Sequence, residues 1–180
     1  GLAIIGLSNA AIEKIGEGKG FYFNLATEIK KQRENTTAWT AATTLVIGLL
    51  EVLETIEADG GFTRLYGETA CRAKSVRRAL EAIGLHVYPK SPAKSMITID
   101  DEYASEIRKI LKEDYHVNVA GGQDHLKGKI FRINQMGLIK PYEMAWVVNA
   151  VELALDKAGK RKYDGTANKV FNDCFLGMDQ

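Results

Sequence analysis

The sequence predicts a small α/β domain with a mostly antiparallel sheet and helices packed on one side of it. Over residues 62 to 158, the apolar periodicity follows the order helix, strand, helix, strand, strand, helix. The first sixty residues do not repeat this order, and we expect them to be the end of another domain. With 180 residues, of which 46% are hydrophobic, the chain can bury a core.

The first part of the chain contains one strand-like run and one long apolar helix. Residues 2–7 are continuously apolar, which is typical of a buried strand, and Ser8 is placed to cap a short helix after them. A helix from position 40 or 41 to about 57 is apolar on almost every face, which predicts burial. A chain that opens in an apolar run without methionine is expected to be a fragment or a processed product.

The second part begins after the glycine pair at positions 60 and 61 with a helix that ends at Gly84. The predicted core face of this helix is Ala73, Val76, Leu80 and Ile83, and Arg72, Arg77 and Arg78 are interpreted as solvated. The predicted strands are SMITID, HVNVA and GKIFRIN. Asp100 or Asp101 is expected to cap a helix between the first two strands, and Pro141 is expected to start a final helix with Met144, Val148, Val151 and Leu155 on one stripe. The residues beyond it form an extension without a predicted role.

Composition excludes several classes of function. The formal charge is +1, from 24 basic and 23 acidic residues, so neither nucleic acid nor a membrane is an expected partner. Cys71 and Cys174 lie far apart without metal-ligand spacing, which predicts no metal site and indicates a reducing compartment, hence a cytoplasmic protein.

Arg132 is the first candidate site residue. Strand alternation places Phe131 and Ile133 on one face of GKIFRIN, and Ile130 with Arg132 on the other. A guanidinium in an apolar setting requires a carboxylate, because an unpaired buried charge costs several kcal/mol. The carboxylate can come from the protein or from a ligand that the planar fork binds through two hydrogen bonds, and simple exposure at a sheet edge is a third reading.

A threonine-rich segment, NTTAWTAATT, precedes the long apolar helix. Hydroxyls and free N–H groups at a helix start suit a phosphate, although threonine at this place is more often only a cap. The stretch GGQDHLKGK lacks the pattern of a nucleotide-binding loop, and Asp124 with His125 is interpreted as part of a surface loop.

Three segments, in this order and spacing, resemble the C-terminal half of class V aminotransferases of the alanine-glyoxylate, serine-pyruvate and archaeal aspartate group. They are GLAIIGLS, TAWTAATTLVIGLLEVLETIEADGG and YHVNVAGGQDHLKGKIFRINQMG, and the run AGGQDHLKGKIFRI is the most specific. The resemblance implies the C-terminal part of a fold-type I pyridoxal phosphate transferase. Residues 1–59 would be the remnant of the large cofactor domain and residues 60–180 the small domain.

The resemblance also implies roles for individual residues. Arg132 would bind the α-carboxylate of an amino-acid substrate, and Thr37 and Thr40 would reach the phosphate of pyridoxal phosphate in the neighbouring subunit of a homodimer. The segment departs from the family at Ala38 and Ala41, where relatives usually have proline. Asn134 and Gln135 replace a Gly-His pair that many relatives carry, and this change is expected to alter the choice of substrate.

The family's Schiff-base lysine, its ring-nitrogen aspartate and its ring-stacking residue lie upstream of the position that matches Gly1. The resemblance therefore implies an aminotransferase that exchanges an amino group between an amino acid and a 2-oxo acid, of which this chain alone would be inactive. The alternative is a non-enzymatic module of the same fold that binds a protein partner or a small carboxylate.

Overall fold

The computed structural model describes residues 2–18 and 20–177. The chain divides into two compact units, Gly1–Gly61 and Phe62–Gln180. The first unit contains helices α1 (Asn9–Lys14), α2 (Leu25–Arg33) and α3 (Thr43–Ala58). The second is built on helix α4 (Gly61–Ala82), which starts at the boundary, and contains the sheet.

The start of the first unit differs from the prediction. Ser8 caps α1 as expected, accepting a hydrogen bond from the Ala11 amide at 3.2 Å. The predicted strand over residues 2–7 is wrong, because the structure assigns no strand there and leaves Ile4 81% exposed. A strand needs a second strand for its backbone hydrogen bonds, and the described part of this unit contains none.

Helix α3 forms close to its predicted position, but the prediction that it is buried is wrong for this chain. None of its sixteen residues is buried, and Ile47 is 61% exposed. Leu45, Val46, Leu50, Val52 and Leu53 are exposed as well. The periodicity correctly predicted a helix with apolar faces, but whether another surface covers those faces depends on tertiary or quaternary contacts.

The second unit is a four-stranded sheet with helices on one side, as predicted. Its further elements are β1 (His86–Val87), β2 (Met96–Asp100), α5 (Ala104–Asp114), β3 (Ala120–Gly121), β4 (Ile130–Asn134), α6 (Pro141–Lys157) and α7 (Thr166–Phe175). The strand order is β1-β2-β4-β3, and each pair is antiparallel. The fold class predicted from the sequence is confirmed.

The core lies between one sheet face and the helices. The residues of β2 and β4 that belong to this core are Ile97, Ile99, Phe131 and Ile133, which alternate with residues of the opposite face. On that opposite face, Thr98 and Ile130 are buried as well. The predicted core stripes of α4 and α6 are buried as expected. Burial of these side chains supplies the main stabilisation of the unit, at about 25 cal/mol per Å² of apolar surface removed from water.

Several element boundaries differ from those predicted. The HVNVA strand is reduced to β3, since Val117 and Val119 are buried without joining the ladder. Strand β1 was not predicted; its two residues are too few to produce a periodicity. Asp101 acts at the start of α5 by accepting a hydrogen bond from the Tyr103 amide at 2.7 Å, although Tyr103 is the N-cap position.

The last helix is part of the core. Ala167, Phe171 and Cys174 form its buried face. Its start is held by Glu152, a fully buried residue of α6 whose carboxylate accepts a hydrogen bond from the Ala167 amide at 3.0 Å and contacts Arg161 at 2.7 Å. A buried carboxylate is tolerated because it is paired and hydrogen-bonded. Helix α7, in the C-terminal extension, therefore belongs to the core of the domain.

Candidate functional site

Arg132 lies in the middle of β4, between two neighbouring strands. It is paired with Thr98 of β2 on one side and with Ala120 of β3 on the other. Its strand neighbours Phe131 and Ile133 are buried in the core, so alternation puts Arg132 on the open face of the sheet, where it is half-buried. Its Nε donates a hydrogen bond to the carbonyl of Gly121 at 3.0 Å.

The guanidinium of Arg132 is not neutralised by the protein within the described residues, where no carboxylate lies within ion-pair distance of it. Asp100 lies on the same sheet face, but its Oδ1 contacts Nδ1 of His86 at 2.5 Å. An arginine has five N–H donors, and Arg132 uses one of them on Gly121. The two Nη groups can therefore bind a carboxylate through parallel hydrogen bonds.

The glycine pair before the arginine strand is closely packed, and the packing requires a glycine at position 122, where the neighbour is backbone, whereas the neighbour of Gly121 is a flexible side chain. A Cβ on Gly121 would lie 2.4 Å from Nη1 of Arg108, and a Cβ on Gly122 would lie 2.1 Å from the carbonyl oxygen of Leu126. Arg108, from α5, also donates from Nε to the carbonyl of Val119 at 3.2 Å. Two arginines thus hold the short strand β3, and one of them is the predicted site residue.

Arg72 is buried, so its interpretation as a solvated residue is wrong. Only 3% of its surface is exposed, and it donates to the carbonyls of Gln135 at 2.8 Å and Ile139 at 3.0 Å. Burial lowers the pKa of the Arg72 guanidinium, and the carboxylate of Glu68 opposes this shift. Arg77 is half-buried. Arg78 is exposed, in agreement with its interpretation as a solvated residue.

Asn134 and Gln135, the polar pair that follows the arginine strand, have different environments. Gln135 is fully buried, and its Nε2 faces Sδ of Met144 at 3.4 Å. Asn134 is exposed, and its side chain closes a local turn by accepting from the Met136 amide at 3.1 Å. Gln135 is therefore a core residue, and the predicted effect of this pair on substrate choice stays a prediction.

Thr37 and Thr40 belong to the first unit, and Arg132 to the second. Both threonines are exposed. The segment that carries them is anchored by Trp39, whose ring lies 4.8 Å from that of Phe21, and by Glu28, which accepts from the Ala38 amide at 3.2 Å.

Neither threonine caps α3. The N-cap residue is Ala42, which makes no side-chain hydrogen bond, and Thr37 instead donates its hydroxyl to the Trp39 carbonyl. The capping interpretation of these two residues is wrong. Thr40 has no hydrogen-bond partner within the described range, and it lies close to a helix start whose first N–H groups lack intrahelical partners. This donor set fits a phosphate group.

The other candidate features do not contribute to the site. Asp124 and His125 are exposed in a 3₁₀ turn, in agreement with the surface-loop interpretation. Across residues 2–18 and 20–177, no three His, Cys, Asp or Glu side chains are grouped to hold a metal ion. In the same residues, no helix has both the length and the apolar character needed to cross a membrane.

Comparison with known proteins supports the resemblance seen in the sequence. An uncharacterized aminotransferase of Helicobacter pylori is 45% identical over 178 residues, which are 98% of this chain and 48% of that protein. An uncharacterized aminotransferase of Methanocaldococcus jannaschii is 35% identical over 168 residues, and the match covers 88% of this chain and 43% of that protein. The chain thus spans about half the length of the curated relatives it matches. No family model matches it.

The fold comparison leads to the same group. The structure of an aspartate aminotransferase of subgroup IV from Thermus thermophilus superposes with a TM-score of 0.69 at 27% identity, covering 77% of this chain and 40% of that one. The predicted resemblance is confirmed: the homologues are aminotransferases by name, and the fold is that of the C-terminal part of these enzymes.

Sequence reasoning did not identify Arg72 and Arg108. Arg72 precedes Val76 by four residues and Ala79 by seven, the spacing of the buried α4 face, and this was the available signal. Arg108 carries no comparable signal, because its role depends on the approach of α5 to the glycine pair.

Proposed function

We propose, from the homology of this chain to the C-terminal half of class V aminotransferases, that it forms part of an enzyme that exchanges an amino group between an amino acid and a 2-oxo acid. The observation that carries the proposal is Arg132, a half-buried guanidinium on the open sheet face whose Nη groups have no carboxylate partner among the described residues. Amino acids and 2-oxo acids share one feature, a carboxylate beside the reacting carbon.

Arg132 would bind this carboxylate and orient the substrate. Its hydrogen bond to Gly121 restrains the guanidinium before a ligand arrives, which lowers the entropy lost on binding. Partial burial reduces screening by water, so a bidentate ion pair here is stronger than one on an exposed surface. The planar fork also sets the direction from which the substrate approaches.

Thr40 and Thr37 would hold the phosphate of pyridoxal phosphate. The Thr40 hydroxyl is available, and the Thr37 hydroxyl is engaged with Trp39 but can exchange that bond for one to a phosphate oxygen. When bound, pyridoxal phosphate supplies an electron sink for chemistry at the α-carbon. In a homodimer, these hydroxyls would serve the cofactor of the neighbouring subunit.

The domain assignment follows the same proposal. Residues 1–59 would belong to the large domain and residues 60–180 to the small domain, in a cytoplasmic homodimer. The lysine that holds the cofactor and the partner of its ring nitrogen would come from sequence outside this chain. On its own, the chain would bind carboxylates without catalysing the exchange.

Carboxylate binding by the chain itself tests the proposal. Arginine side-chain NH signals are followed by NMR while pyruvate is added, and acetone serves as the matched ligand without a carboxylate. We expect pyruvate alone to shift the Arg132 signal saturably, and Arg132→Lys to weaken the binding. Arg33→Lys, at an exposed arginine of α2, is the control variant. Equal shifts with acetone, or unchanged pyruvate binding in Arg132→Ala, would refute the assignment.

A further inference from the structure

Arg72 makes contacts that its position on a helix does not require. It lies on α4, yet both of its terminal nitrogens donate to backbone carbonyls of the segment 135–139, which makes up all but one residue of the connection between β4 and α6. The two acceptors are Gln135, the first residue of the connection, and Ile139, four residues later. One guanidinium therefore holds both ends of this segment.

The charge of Arg72 is costly for the protein. Only 3% of the surface of Arg72 is exposed. Its Nε has no hydrogen-bond partner within the described part of the chain. No carboxylate there forms a hydrogen bond with it; its partners are two carbonyls and, at 3.4 Å, the Thr69 hydroxyl. Replacing buried charged groups by apolar side chains is often neutral or stabilising, so we expect the main contribution of Arg72 to be to the position of the segment that it binds.

The segment that Arg72 holds continues directly from the strand of Arg132. The Gln135 amide donates to the Ser95 carbonyl at 2.8 Å, which extends the β2–β4 pairing by one residue beyond Asn134. Beyond that bond the chain turns at Gly137, with a φ of 97°, and exposes Met136 and Leu138. Met136 and Gly137 line a cavity of about 600 Å³.

We infer that Arg72 is a positioning residue: it fixes the segment 135–139, and through it the end of β4, the strand that carries Arg132. The expected effect on carboxylate binding rests on the proposed function of Arg132. The restraint itself involves only residues of the second unit.

The test compares Arg72→Met, which keeps an unbranched chain but removes both hydrogen bonds, with Arg72→Lys, which can restore one of them. Val151→Ala, at a fully buried position of α6, is the control for a loss of stability without a change at this segment. Hydrogen exchange of the amides of Gln135 and Met136 is measured by NMR in the full chain, together with the pyruvate affinity.

We expect Arg72→Met to speed exchange of both amides at least tenfold relative to the Phe131 amide and to weaken pyruvate binding about fivefold. Val151→Ala should change neither the relative exchange nor the affinity, and Arg72→Lys should recover part of both losses. Unchanged relative exchange in Arg72→Met would overturn the inference, as would equal effects of Val151→Ala. If the wild-type chain binds no pyruvate while the exchange result holds, the proposed function fails and the positioning role of Arg72 in the fold stands.

Discussion

Arg132 and Gly121 are joined by a hydrogen bond of 3.0 Å from Nε to the carbonyl oxygen, across neighbouring strands of the sheet. The bond connects the two features that made this part of the sequence unusual, a glycine pair and an arginine within an apolar strand. It leaves both Nη groups for a ligand, and it makes the position of the guanidinium depend on the backbone at Gly121.

The first prediction concerns turnover. In a chimera of this chain with the N-terminal half of the Helicobacter pylori relative, Arg132→Ala should lower kcat/KM about thirtyfold or more. Removing one partner of a desolvated charge pair costs about 2–5 kcal/mol, and each 1.4 kcal/mol or so is a factor of ten. Arg132→Lys should recover only part of this loss, because an ammonium cannot form two parallel bonds.

Cofactor absorbance in the chimera should survive Arg132→Ala, since the residue is proposed to hold substrate. Arg33→Ala, on an exposed face of α2, should leave kcat/KM unchanged. Full activity of Arg132→Ala with a lower Tm would make the arginine a structural residue. Carboxylate binding by a chain whose chimera shows no turnover would favour the non-enzymatic module.

The second prediction concerns the glycine pair. Gly122→Ala should lower the free energy of unfolding by about 1–3 kcal/mol or more, because the new Cβ meets the Leu126 carbonyl and overpacking costs that much. Gly67→Ala, in α4, is the matched control, because its Cβ would meet nothing within 4 Å. This substitution should raise the free energy of unfolding by up to about 1 kcal/mol through helix propensity. Urea denaturation measures the free energy of unfolding of both variants. If Gly122→Ala were as stable as the wild type, the turn at Leu126 would be able to relax around the new Cβ.

The third prediction concerns acid stability. Hydrogen bonds from Thr166, and then from Arg161, hold the pKa of Asp164 well below its ordinary value of 3.8. A depressed pKa stabilises the folded state above 3.8, and this contribution is lost as the pH falls below it. Asp164→Asn should therefore reduce the dependence of stability on pH between about 5 and 2, as measured by denaturation across that range.

Asp156→Asn, an exposed residue near the end of α6, is the control for removal of one acidic group. The pH dependence of this control should match that of the wild type. If Asp164→Asn matched the wild type as well, the contacts around the start of α7 would not be coupled to folding.

The fourth prediction concerns association. Ile47 and Leu50 lie three residues apart on α3 and are 61% and 54% exposed. An apolar helix face of this kind favours contact with another protein surface, so the chain should sediment as a dimer or a larger species. The double substitution Ile47→Glu and Leu50→Glu should shift it to monomer, whereas Gln32→Glu on α2 should not. A monomeric wild type at micromolar concentration would contradict the prediction.

Much of the second unit could be predicted from local sequence. The apolar stripes of α4 and α6, the start of α6 at Pro141 and the strand that carries Arg132 all follow from periodicities that depend only on backbone geometry. The class of protein followed from three segments in order. The strand over residues 2–7 and the burial of α3 failed because each requires a partner surface, which periodicity indicates but does not provide.

The sequence by itself determined which residues alternate into the core and that Arg132 lies on the opposite face, because side-chain direction repeats with period two in a strand and 3.6 in a helix. Only the tertiary structure decided what each polar residue meets. Arg72 reaches the segment after β4 across more than sixty residues of sequence, whereas none of the described carboxylates lies within ion-pair distance of Arg132. Both are arginines beside apolar residues, and the difference lies in long-range packing: it brings carbonyls to both Nη groups of Arg72, whereas among the described residues Arg132 meets a carbonyl only at Nε.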